Sequence, residues 1–114
     1  MEKKNKKTIL AILITLTLLG IFFGCTKSGL DDAKVNATIT CIGLCKKAVD
    51  DNVSLVNGPC IGRTQTDWVC DVAHSPREAV DNLPANQCAD YANGLMHHFV
   101  EVDTNCQLIS IDGQ

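Results

Sequence analysis

Three histidines and the carboxylates near them are the side chains of this sequence best suited to bind a metal ion. His74 follows Asp71 by three residues, and His97 and His98 are adjacent. Imidazole nitrogens and carboxylate oxygens are ligands that zinc and copper accept. A metal site would require His74 or Asp71 to lie across a sheet from His97 and His98. The candidate metal ligands are therefore His74, His97, His98 and Asp71.

The alternative for the histidine pair is a purely structural role. Residues alternate between faces along a strand, so Val100 and Val102 would place His98 on the core side. His98 would then be half-buried and hydrogen-bonded, and His97 would be solvated. His97 and Glu101 are four residues apart, about 13 Å along an extended strand, which is too far to share an ion directly.

Six of the seven cysteines lie in the region after residue 30, which predicts a disulfide framework. The N-terminal segment described below predicts export, and an even number of cysteines in an exported domain of this size indicates three disulfides, each contributing about 2–4 kcal/mol. The paired Cys-x-x-Cys spacing of zinc sites does not occur in the sequence. Six cysteines allow 15 pairings, and the sequence does not select one. The predicted disulfide cysteines are Cys41, Cys45, Cys60, Cys70, Cys88 and Cys106.

Cys41 and Cys45 are four residues apart on a predicted helix, so both face the same side. We expect each to bond to a different element rather than to the other. The Cys41-x-x-x-Cys45 pair with a distant histidine also resembles membrane-tethered copper-delivery proteins of thioredoxin fold. That resemblance implies a thiol-redox or copper-binding role, although this chain is too short for the fold.

Hydrophobic patterns predict the elements that position these residues. A helix is expected from residue 30 to about residue 53, with Cys41 and Cys45 on its apolar stripe. Strands are expected at residues 67–73, 97–103 and 107–111, with a loop at 75–84 and helical turns at 85–93. The predicted fold class is α+β: one main N-terminal helix packed on a small antiparallel sheet of about three strands, held by disulfides.

The N-terminal segment has the pattern of an export signal. Residues 1–7 contain four lysines, residues 8–23 are uncharged and mostly apolar, and Gly24-Cys25 precedes a short polar stretch. This arrangement resembles the lipoprotein signal of prokaryotes. The resemblance implies a signal peptide at 1–24, lipidation of Cys25, a polar tether at 25–30 and one cysteine-rich domain at 31–114. An uncleaved membrane anchor is the alternative for residues 1–24.

The composition and the motifs of the sequence exclude several classes of function. The 90 residues after Gly24 contain 6 basic and 12 acidic residues and no basic stripe, which excludes nucleic-acid binding. No Gly-x-Ser-x-Gly motif occurs, and we predict neither catalytic residues nor a cofactor.

We therefore expect a membrane-tethered, extracytoplasmic surface or binding protein without catalysis, whose protein or small-molecule ligand the sequence does not identify. The domain is similar to small cysteine-rich surface lipoproteins of archaea and bacteria. The alternative function is a cell-envelope metal-binding module, for zinc or copper, or a thiol-redox module.

Overall fold

A long helix, α1, spans Gly29–Asp50 in the computed structural model, which describes residues 29–112. Ala37, Cys41 and Cys45 recur every four residues along α1 and are fully buried. This confirms the predicted helix and its stripe containing both cysteines. Val49, four residues beyond Cys45, is 50% exposed, because the packed region of α1 ends before the last turn.

Four strands form one sheet in the order β1-β2-β3-β4. The strands are β1 (Cys60–Gln65), β2 (Trp68–Val72), β3 (His98–Val102) and β4 (Leu108–Ile111). β1 pairs with β2 and β3 pairs with β4 in antiparallel orientation, whereas the central pair, β2 and β3, is parallel. The α+β class is confirmed, and the sheet differs from the prediction by one added strand and by its mixed orientation.

The extra strand and the parallel pair each have a physical reason. β1 has no apolar alternation, and its register shifts on either side of Gly62, so its sequence does not resemble a regular strand. A parallel pair requires a crossover connection, usually a helix. Here residues 73–97, the crossover segment, contain only two 3₁₀ turns and a single helical turn, α2 (Ala89–Ala92).

The two faces of the sheet have different coverings. Because side chains alternate along a strand, every second residue of β2 and β3 points toward α1. The buried residues of this set are Trp68, Cys70, Val72, Val100 and Val102, and they form the core with the buried face of α1. The opposite face is covered by the crossover segment, so all five residues of β2 are buried.

Three disulfides connect the elements, as predicted. Cys41 bonds to Cys70 on β2, and Cys45 bonds to Cys106 in the turn before β4. The two cysteines of α1 therefore reach different elements, which the sequence also predicted. The third disulfide, Cys60–Cys88, joins β1 to the crossover segment. Three disulfides in so small a domain indicate an oxidising, extracytoplasmic location.

The predicted leader and Cys25 lie outside the described residues, as do the last two residues of the chain. Between residues 29 and 112, no helix combines the length and apolar character needed to cross a membrane.

Candidate functional site

A cavity of about 180 Å³ lies on the face of the sheet opposite α1, and we call it the acidic cavity. The parallel register of β2 and β3 pairs Val69 with Phe99 and Asp71 with Glu101. The floor of the cavity therefore consists of an apolar pair followed by an acidic pair. The crossover segment supplies the other lining residues, which are Arg77, Gln87, Cys88 and Tyr91.

The apolar end of the acidic cavity is formed by two aromatic rings and a buried valine. Tyr91 meets Phe99 edge to face, with ring centroids 5.2 Å apart and an interplanar angle of 74°. Such an arrangement is favourable and fixes both rings. Val69 lies on the neighbouring strand and is buried. This end of the cavity can contact a hydrocarbon group.

The acidic end contains two carboxylates and one guanidinium. Arg77 donates to Glu101 through Nη1 at 2.6 Å, so this pair is mutually neutralised. Asp71 is only 8% exposed, and no lysine, arginine or histidine among residues 29–112 forms an ion pair with it. Asp71 is therefore a buried acid without a cationic partner.

The surroundings of Asp71 change its protonation. Burial is the main cause that raises the pKa of Asp71, to about 7, and the neighbouring Glu101 raises it further. Arg77 acts in the opposite direction, and Asp81 adds a smaller upward contribution. At neutral pH the carboxyl group of Asp71 is therefore close to half-protonated.

His74 belongs to a separate cluster built around Asp81. Asp81 is 1% exposed and accepts hydrogen bonds from the backbone N–H groups of His74, at 3.0 Å, and Glu78, at 2.8 Å. His74 Nδ1 lies 2.8 Å from Asp81 Oδ1. Burial would raise the pKa of Asp81, but these hydrogen bonds outweigh it and lower the pKa. The hydrogen bond to Asp81 raises the pKa of His74. The cluster fixes the start of the crossover segment.

Gly58 allows Asp81 to occupy this buried position. Its backbone has a φ of +62°, and a Cβ there would overlap Asp81 Oδ1 and lie 2.9 Å from the carbonyl oxygen of Val72. Glycine lacks that carbon and adopts positive φ without strain. The close approach of Gly58 therefore determines where Asp81, and hence His74, can lie.

The histidine pair lies at the other end of the sheet. His98 stacks on Trp68, with centroids 4.7 Å apart, and its Nδ1 lies 3.2 Å from Asp112 Oδ1. His97 Nδ1 lies 2.6 Å from Asp67 Oδ1, and His97 is exposed. These environments match the structural alternative, in which His98 is half-buried and hydrogen-bonded and His97 is solvated.

The structure does not bring the predicted metal ligands together. His74 follows the C-terminal end of β2, whereas His98 pairs with Trp68 at the N-terminal end of β2. His74 comes six residues after Trp68, which corresponds to about 20 Å of extended chain. Asp71 lies between them and faces the acidic cavity. In the described part of the chain, the only close group of three donor residues is Cys60, Asp71 and Cys88, and its two sulfurs form a disulfide.

Cys41 and Cys45 do not form the exchangeable pair that the copper-delivery resemblance implied. Each is fully buried and bonded to a distant cysteine. The cysteines next to titratable groups are instead Cys60 and Cys88. The one feature of the sequence that could have indicated a titratable group beside these cysteines is Asp71, an acidic residue inside an otherwise apolar strand.

No known protein family, no curated protein and no solved structure matches this chain.

Proposed function

We propose that this chain is a non-catalytic binding protein held on the extracytoplasmic face of a membrane, and that the acidic cavity takes a small organic cation with an apolar body. The observation that carries the proposal is the buried Asp71 carboxyl group, which has no cationic partner in the described part of the chain. The membrane attachment is supported by the N-terminal sequence, through lipidated Cys25 or through an uncleaved anchor.

Charge compensation explains why a cation would bind. A buried carboxylate is unfavourable unless it is paired and hydrogen-bonded. Arg77 compensates Glu101, which leaves Asp71 as the uncompensated charge when it ionises. A ligand ammonium group beside Asp71 would supply up to three charge-assisted hydrogen-bond donors. Binding would therefore stabilise the ionised form of this side chain.

The apolar end of the cavity restricts the rest of the ligand. Val69, Phe99 and Tyr91 offer hydrocarbon surface beyond the acidic pair. A volume of about 180 Å³ is small compared with the ~300–1,000 Å³ of sites for drug-sized molecules. A single aromatic ring or a short alkyl chain carrying one ammonium group fits this description.

Calorimetry on the oxidised full chain in detergent tests the ligand class with three probes: benzylamine, benzyl alcohol and benzoate. We expect benzylamine to bind and benzoate not to bind. A proton on Asp71 competes with the cation, so affinity for benzylamine should be about tenfold weaker at pH 6 than at pH 8. Asp71→Asn should abolish binding, and Asp50→Asn, on the exposed face of α1, should leave it unchanged. Equal binding of benzoate, or full binding by Asp71→Asn, would contradict the proposal.

The attachment is tested by the intact mass of the exported protein under non-reducing conditions. Cleavage before Cys25 with added acyl mass is the expected result, and retention of residues 1–24 in the membrane fraction would support the uncleaved anchor. A freely secreted, unmodified product would rule out both forms of attachment.

A further inference from the structure

The three disulfides differ in their surroundings. Cys41–Cys70 and Cys45–Cys106 lie in the core between α1 and the sheet. In Cys60–Cys88, by contrast, Cys60 is partly exposed and Cys88 lines the acidic cavity. Cys106 also lines a surface pocket but is only 6% exposed, and among the six bonded cysteines Cys60 alone is not buried. An external thiol can therefore approach the third disulfide, at Cys60, more easily than either of the others.

Cys60–Cys88 also lies next to a titratable acid. Asp71 Oδ1 is 3.7 Å from Cys88 Sγ, and one Asp71 oxygen lies within 4.8 Å of both sulfurs. The charged groups that act on Asp71 are Glu101, Arg77 and Asp81. Burial, Glu101 and Asp81 together outweigh Arg77 and raise the pKa of Asp71 to about 7, so the carboxyl group carries its proton in about half of the molecules at neutral pH and in most of them at pH 6.

We propose that Cys60–Cys88 is an exchangeable disulfide that accepts two electrons from an external dithiol, with Asp71 supplying the proton to the Cys88 sulfur. A thiolate of the dithiol attacks Cys60 Sγ, forming a mixed disulfide as the Cys60–Cys88 bond breaks. The electron pair of that bond goes to Cys88 Sγ, which takes the proton of the Asp71 carboxyl group. The second thiol of the reductant, as its thiolate, then attacks the mixed disulfide, releasing Cys60 as a thiolate and oxidising the reductant to its disulfide.

The attack on Cys60, with Cys88 as the leaving sulfur, follows from the greater exposure of Cys60 and from the low dielectric constant around Cys88. An attacking thiolate reaches Cys60 more easily, because Cys60 is partly exposed whereas Cys88 is 5% exposed. The charge released on Cys88 would then develop in a largely buried site, where an unprotonated thiolate is disfavoured. A proton donor 3.7 Å from that sulfur removes this penalty. The ionised Asp71 carboxylate would instead repel the developing charge.

Reduction of this disulfide leaves the rest of the framework intact. The other two bridges hold α1 against β2 and against the turn before β4. Cys60–Cys88 links only β1 to the crossover segment, so its reduction releases one wall of the acidic cavity. This activity goes beyond ligand binding and does not require that the cavity bind a cation.

The first test is partial reduction of the oxidised full chain with limiting dithiothreitol, followed by alkylation at timed intervals and peptide mass mapping. We expect Cys60 and Cys88 to be alkylated first, about tenfold or more ahead of the other four cysteines. Reduction of all three disulfides together, or of another disulfide first, would overturn the proposal.

The second test assigns the proton donor. At pH 6, Asp71→Asn should slow the reduction of Cys60–Cys88 by about tenfold. General acid catalysis typically contributes ~100-fold or more, but the effect here is smaller because a thiolate is already a good leaving group. At pH 6 the Asp71 carboxyl group is mostly protonated, so Asp71→Asn removes little negative charge, and slower reduction identifies loss of the proton donor. Asp50→Asn is the control for charge and should not change the rate.

The pH profile of the wild-type chain gives an independent measurement. The rate constant, expressed per dithiothreitol thiolate, should fall as the pH rises through about 7, where Asp71 loses its proton. The profile of Asp71→Asn should be flat over the same range. An unchanged or faster reduction in Asp71→Asn, or a flat wild-type profile, would exclude Asp71 as the donor.

Discussion

Replacement of Gly58 with alanine should destabilise the domain through the buried cluster at Asp81. The added Cβ overlaps Asp81 Oδ1 and lies 2.9 Å from the Val72 carbonyl oxygen, a distance that real Cβ atoms rarely show. Asp81 cannot move aside freely, because it is buried and accepts hydrogen bonds from His74 and Glu78. The substitution must therefore displace either this carboxylate or the end of β2.

Two contributions set the magnitude. A non-glycine residue at positive φ costs about 1 kcal/mol. Weakening the hydrogen bonds of a buried carboxylate costs about 1.5–3 kcal/mol more. The expected loss in free energy of unfolding at Gly58→Ala is therefore about 2.5–4 kcal/mol. For a domain of this size that corresponds to a fall in Tm of roughly 10–30 °C.

Thermal and urea unfolding of the oxidised protein measure this loss, and Gly94→Ala is the matched control. Gly94 has a φ of +72°, close to that of Gly58, but no atom lies within 4 Å of its Cβ position. The control should lose only the backbone contribution of about 1 kcal/mol. Equal losses in the two variants would show that contact with Asp81 and Val72 is unimportant, and the reasoning would be wrong.

Three further predictions concern stability. Replacing Cys45 and Cys106 together with serine removes a bridge spanning 61 residues and should lower the free energy of unfolding by about 4 kcal/mol in urea titrations. The pKa of Asp71 is near 4 in the unfolded chain and about 7 in the folded chain. Between these values the unfolded state releases the proton more readily, so the free energy of unfolding of the wild type should decrease as the pH rises from about 4 to about 7. Asp71→Asn should therefore be more stable at pH 8 by about 2–4 kcal/mol, and an Asn variant no more stable than wild type would contradict the burial argument. The raised pKa of His74 means that its pair with Asp81 stabilises fully below about pH 6.5 and weakens as pH rises through the folded value. In the Asp71→Asn background, which lacks the Asp71 titration, thermal melts from pH 5 to 9 should show this decline and lose it when His74→Gln is added.

The helix and the disulfide framework could be predicted because each rests on a local pattern. Cys41 and Cys45 share one helical face, which implied two separate bonding partners. The apolar alternation of β3 was equally clear, since Val100 and Val102 are both buried. Short-range spacing was sufficient for these features.

The acidic cavity could not be predicted because it depends on long-range pairing. Asp71 and Glu101 become neighbours only through the parallel register of β2 and β3, and the short helical turns predicted at residues 85–93 did not indicate that pairing. A strand acid is ordinarily solvent-facing, so burial of Asp71 required knowledge of what covers the second face. The placement of Asp81 likewise depends on Gly58, which lies 23 residues earlier in the chain.

The bond between Cys45 and Cys106 also limits how far the domain can be stretched. Fully extended, the chain from residue 29 to residue 112 would span about 290 Å at ~3.5 Å per residue. Through this bond, the covalent path contains only residues 29–45 and 106–112 and reaches about 80 Å. A pulling force applied at the two ends would thus unravel part of α1 and the final strand while the intervening loop carried no tension. Because Cys60–Cys88 lies inside that loop, reducing this disulfide would not increase the length of the stretched molecule.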